Sequence, residues 1–139
     1  MTLSIRNQLP GTVTAITSGE VMATVKVRLD GGRHLTAAIT RESVKDLGLA
    51  EGSPVRALVK STEVALATGR VEGLSIRNQL PGTVTDVTTG GAMATVKISV
   101  DGGELTAAVT KDAVADLDLS AGSSVVALMK STEVSLATA

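Results

Sequence analysis

The chain of 139 residues contains no phenylalanine, tyrosine or tryptophan. A single-stranded nucleic-acid module stacks bases on aromatic rings in a positive groove, so that class is strongly disfavoured here. The formal net charge of −1 gives no reason to expect a polyanionic partner either. Cysteine is absent, which excludes disulfides and thiolate metal sites. The one histidine, His34, is too few for a His-rich metal centre and has no equivalent elsewhere in the chain. No apolar run is long enough to cross a bilayer, and "MTLSIRNQLPG" lacks the charged and apolar regions of a signal peptide. The expectation is a soluble cytoplasmic protein without membrane or nucleic-acid partners.

What is present is repetition. "SIRNQLPGTVT" at 4–14 returns unchanged at 75–85, "MATVK" at 22–26 returns at 93–97, and "KSTEV" at 60–64 returns at 130–134. The chain therefore divides into a first domain at 1–67, a linker at 68–73 and a second domain at 74–139. "DGGRHLTAA" (30–38) is one residue longer than "DGGELTAA" (101–108), an indel placed where a hairpin loop tolerates one. Each copy must build its core from Val, Leu, Ile, Ala and Met. Lobes of roughly 65–70 residues with such small side chains sit near the lower size limit for independent stability, so oligomerisation is expected.

The pattern within each copy is mainly strand. "GTVTAIT" (11–17) and "VMATVKVRL" (21–29) alternate and are rich in β-branched residues, and "DGG" turns the chain into "HLTAAIT" (34–40). "RESVKDLG" (41–48) predicts one short helix, with Thr40 as N-cap and Gly48 at its end. "PVRALVK" (54–60) and "TEVALA" (62–67) resume as strand, and "QLPG" reads as the turn leading into the first strand. The fold class that follows is mainly β: two tandem OB-like five-stranded barrels, each with one short helix.

Catalytic chemistry is poorly represented. His34 reads as a solvated hairpin residue, and Glu63 and Glu133 recur without an acid–base partner. No P-loop follows "DGG". The chain is therefore not expected to be an enzyme, and one acting on phosphate or sulfate would need a base or metal ligands that are not found. The recurring polar residues are instead donors: Ser4 and Arg6 with Ser75 and Arg77; Lys60, Ser61 and Thr62 with Lys130, Ser131 and Thr132; and Thr40 with Thr110 at the predicted helix starts. Guanidinium, ammonium and hydroxyl groups together describe a pocket for a small oxyanion. Each also has a plainer reading, as N-cap, surface arginine or strand-edge lysine. Their joint repetition is what favours the pocket.

"SIRNQLPGTV" followed some 50 residues later by "KSTEV" resembles the Mop domain of the molbindins, small bacterial molybdate-binding proteins. The resemblance covers almost the whole chain and implies the tandem, di-Mop form. It further implies homotrimeric assembly, molybdate or tungstate held between domains and subunits, and storage or homeostasis of the oxyanion in the cytoplasm. Carried over position by position, the implied ligands are Ser4, Arg6, Thr40, Ser43, Lys60 and Ser61 in the first copy. In the second copy they are Ser75, Arg77, Thr110, Lys130 and Ser131. Ala113 replaces the hydroxyl of Ser43 and leaves a backbone N–H. Losing one hydrogen bond to a charged ligand costs about 1.5–3 kcal/mol, so sites using residue 113 are expected to bind more weakly. Asn7 and Asn78 are further candidates, for sites near a three-fold axis. The same domain occurs in molybdate-responsive regulators and transporter ATPases, so a detached ligand-sensing domain is the alternative; an OB-type nucleic-acid module is a remote one.

Overall fold

The computed structural model describes residues 2–138. Its elements are β1 (Asn7–Ser18), β2 (Met22–Leu29), β3 (His34–Thr40), α1 (Arg41–Asp46), β4 (Pro54–Val59) and β5 (Ala65–Ala67). The second copy follows as β6 (Asn78–Thr89), β7 (Met93–Val100), β8 (Gly103–Thr110), α2 (Lys111–Asp116), β9 (Ser124–Met129) and β10 (Ser135–Thr138). Alternation is strict where it matters: β2 and β7 bury every second residue, with Val25, Val27, Val96 and Ile98 at 1% exposure or less. Each strand thus turns one face to the core and one to solvent.

The two sheets do not coincide with the two sequence copies. One sheet has the order β10-β4-β1-β2-β3 and the other β5-β9-β6-β7-β8, all neighbours antiparallel. Each copy therefore completes its sheet with the last strand of the other. Both sheets curl so that their outer strands, β10 and β3 or β5 and β8, approach without pairing. The small core is solved by sharing, because the buried cluster runs continuously through both copies from Leu9 to Val134.

Two local readings are corrected. "QLPG" is strand, not turn: β1 starts at Asn7, and Pro10 pairs with Arg56 of β4 on a stretch that the β2 ladder, beginning at Gly11, does not reach. A residue without an N–H is tolerated there. The following glycine is required by contact, since a Cβ on Gly11 would lie 2.6 Å from the Arg28 carbonyl oxygen, and one on Gly82 2.6 Å from that of Ser99. The segment 62–67 is not one strand. Ser61–Glu63 and Ser131–Glu133 form 3-10 turns, closed by Glu63 N–H to Lys60 O and Glu133 N–H to Lys130 O, before the exchanged strands begin. The helices end at Asp46 and Asp116, and Gly48 takes φ +63° just beyond the first.

The hairpin tips meet across the two copies. A Cβ on Gly31 would lie 2.4 Å from the Asp101 carbonyl carbon, and one on Gly102 2.5 Å from Gly31 N. Arg33 Nε bonds Asp101 Oδ2 at 3.2 Å beside this backbone contact.

Candidate functional site

The register of β1 and β4 builds the first corner. Asn7 pairs with Val59 on the last rung, so Arg6 and Lys60 follow one step beyond it, with Ser4 upstream and Ser61 opening the 3-10 turn. The same register places Arg77 and Lys130 one step beyond the rung of Asn78 and Met129. Both basic side chains of a corner thus come from one copy. Ser4, Arg6 and Lys60 are exposed, as are Ser75, Arg77 and Lys130.

The opposite copy forms the back of each corner. The turn at Ser61–Glu63 packs against β8, and the turn at Ser131–Glu133 packs against β3. Asn7 and Asn78 fix this junction and are 2% and 3% exposed. Asn7 Nδ2 donates to Thr106 O at 2.9 Å, and Thr106 N–H donates to Asn7 Oδ1 at 2.8 Å. Asn78 makes the same pair with Thr36, both bonds 2.8 Å. Each amide stands in for a strand partner. The side-chain amides of Asn7 and Asn78 are thus engaged with the main chain of the opposite copy.

Ser61 differs from the other hydroxyls. Its Oγ is buried and has no hydrogen-bond partner among the described residues. A buried hydroxyl without a partner costs free energy unless something outside the chain satisfies it.

The helix-start residues form a separate group. Thr40 Oγ1 accepts from Ser43 N–H at 3.1 Å and lies 2.7 Å from Ser43 Oγ. Thr110 Oγ1 accepts from Ala113 N–H at 3.1 Å. The backbone N–H of Ala113 is therefore engaged by the cap. Thr110 stands four residues beyond Thr106, roughly 13 Å along an extended strand. No side-chain hydrogen bond among the described residues joins Thr40, Ser43 or Thr110 to the Arg–Lys corners. Beside this group the chain exposes Val21 (71%), Met22 (46%) and Met93 (48%); Met22 pairs with Thr40 and Met93 with Thr110.

Comparison with known proteins gives this geometry a family. The TOBE domain model matches residues 3–66 and again 74–136. The chain belongs to the TOBE-domain family. Its two TOBE domains are similar to the molybdenum-pterin-binding protein MopB of Rhodobacter capsulatus, 40% identical over 136 residues, covering 96% of this chain and 50% of MopB. They are equally similar to the molybdenum transport protein ModE of Azotobacter vinelandii, 40% identical, covering 99% of this chain and 51% of ModE. The chain thus spans about half the length of these curated relatives. Among solved structures, the cytoplasmic molybdate-binding protein ModG, in a form with molybdate bound, superposes with a TM-score of 0.97 at 43% identity over the full length of both chains. The tandem architecture and strand-rich fold expected from the repeats are shared with ModG over every residue compared. No helix among the described residues is long and apolar enough to cross a membrane.

Proposed function

We propose that the tandem TOBE domains bind molybdate or tungstate without catalysing its conversion, and that the protein stores or buffers the anion in the cytoplasm. The observation that carries this reading is the partnerless, buried Oγ of Ser61, next in sequence to Lys60 and beside the Arg6–Lys60 register. A tetrahedral dianion supplies the acceptor that Ser61 lacks, and one arginine with one lysine balances its charge. Ser4, Arg6, Lys60 and Ser61 form one donor set; Ser75, Arg77, Lys130 and Ser131 form its counterpart.

Thr40, Ser43 and Thr110 complete these sets across subunits of a homotrimer. Support comes from their separation from the Arg–Lys corners and from the exposed Val21, Met22 and Met93 beside them. A neighbouring copy that covers this apolar edge would bring its own corner to the hydroxyls. The resemblance to ModG, which binds molybdate, supports the choice of anion.

Isothermal titration with molybdate, with sulfate and phosphate as controls and a mass measurement of the assembly, tests the proposal. Saturable molybdate binding by a trimer is expected. A well-folded trimer that takes up no molybdate would refute it.

The similarity to ModE favours a second reading, in which these domains are the ligand-sensing part of a longer regulator. The size of the native product decides between them. A 14.0 kDa chain supports storage, and a product about twice as long, like ModE, supports sensing.

A further inference from the structure

A cavity of about 700 Å³ lies where the segment joining the two TOBE domains folds back on the start of β6. Two of its three arginines are unrepeated: Arg70 belongs to the joining segment, and Arg33 to the hairpin that is one residue longer in the first copy. The third is Arg77. Glu72 is the one carboxylate of the lining, and Arg33 also bonds Asp101 through Nε at 3.2 Å, which leaves its terminal nitrogens free of that bond.

The joining segment is held in place rather than loosely draped. Gln79 Nε2 donates to Val71 O at 3.0 Å, and Val71 N–H donates to Gln79 Oε1 at 3.3 Å. Gln8, the equivalent residue of the first domain, bonds Ile5 O and, among the described residues, no joining segment. The amide of Gln79 thus fixes the wall that carries Arg70. Leu74, Ile76 and Val126 supply an apolar side to the same cavity.

We propose that this cavity is a second anion site, for an organic phosphate monoester of about nucleotide size. Three arginines line it, a guanidinium matches the forked geometry of a phosphate, and the volume lies within the range of small-molecule sites. A bare tetrahedral anion would leave most of the cavity and its apolar wall unused. The organic part of the ligand lies against Leu74, Ile76 and Val126. The site is independent of the oxyanion reading except through Arg77, which both would use.

Flavin mononucleotide is a suitable probe, because a chain without aromatic residues neither absorbs nor emits with it. Its fluorescence anisotropy should rise saturably, with one equivalent bound per chain of the assembled protein, while riboflavin, which lacks the phosphate, gives no rise. Arg70→Ala and Arg33→Ala should each weaken binding by roughly tenfold or more, and Arg70→Lys by less. Molybdate titration of Arg70→Ala should match the parent chain, so failure of one site is distinguishable from failure of the other. Flat anisotropy, equal binding of riboflavin, or unchanged binding by both alanine variants would overturn the proposal. So would orthophosphate binding as tightly as the flavin nucleotide, because the apolar wall would then recognise nothing.

Discussion

Asn78 occupies the place of a strand beside Thr36: its Oδ1 accepts the Thr36 N–H and its Nδ2 donates to the Thr36 carbonyl, each at 2.8 Å. A side-chain amide carries the same donor and acceptor as a peptide group, so it can end a sheet edge where no further backbone arrives. The residue before Asn78 is Arg77, and the strand it grips belongs to the other copy. One amide therefore joins the Arg77–Lys130 corner to the opposite domain.

Replacing Asn78 by alanine leaves a backbone donor and acceptor of Thr36 without partners in a part-buried junction. The expected loss is about 2–3 kcal/mol of folding free energy. Asn78→Asp should do no better, because it keeps the acceptor but sets a carboxylate against the Thr36 carbonyl at a 3% exposed position. Urea denaturation measures both. A midpoint unchanged in the alanine variant would mean that water replaces the amide at no cost.

The hairpin contact makes a sharper comparison between neighbouring glycines. Gly32 adopts φ +96° with nothing within 4 Å of an added Cβ, so Gly32→Ala should cost only the backbone term of about 1–2 kcal/mol. Gly31 is not left-handed, yet its Cβ would strike the Asp101 backbone at 2.4 Å. Gly31→Ala should therefore force the two tips apart and cost at least as much as Gly32→Ala, about 2–3 kcal/mol. Thermal melts of the two variants would settle the order. A harmless Gly31→Ala would show that the tips separate freely.

These residues also show what the sequence made legible. Alternation in "MATVKVRL" and β-branching mark β2, and the Thr40–Ser43 spacing marks the helix start, because both are local signals of period and capping. The exact recurrence of Asn7 and Asn78 was visible, but their partners Thr106 and Thr36 lie 99 and 42 positions away. Nothing local announces such a pairing. The exchange of β5 and β10 was hidden for a similar reason: a strand's pattern of apolar residues is the same whichever copy it completes. Pro10 misled the reading of "QLPG" because proline ends strands except where one neighbour is missing, and that exception depends on register. The orphaned Ser61 hydroxyl likewise depends on burial against the other domain.

Strand exchange predicts how one domain behaves alone. A fragment of residues 1–73 keeps β1 to β4 and its own β5, but that strand pairs with β9, which the fragment lacks. Its β4 edge is left open where β10 belongs. Two fragments can satisfy each other by exchanging β5 for the missing β10, so a dimer of about twice the monomer mass is the expected minimal species. Analytical ultracentrifugation reads this directly. A folded monomer would show that β5 can turn back onto its own sheet.

The last prediction concerns the single departure between the two proposed oxyanion sets. From donor types alone, Ala113 in place of Ser43 removes a hydroxyl and should weaken a site by about 1.5–3 kcal/mol. The structure reduces that expectation, because Ser43 Oγ and Thr40 Oγ1 are 2.7 Å apart and bonded to each other. One hydroxyl proton of the pair is already engaged, which leaves a single O–H to offer. Thr110, whose oxygen accepts only from Ala113 N–H, offers a single O–H as well. Binding through both Thr40 and Ser43 would exchange one hydrogen bond for another rather than add one. Ala113→Ser should therefore raise molybdate affinity at its site by less than about tenfold, and Ser43→Ala should lower it by a similar factor. Calorimetry on the two variants checks the pair together. A gain well above tenfold in Ala113→Ser would mean that the hydroxyls turn away from each other and that both reach the anion.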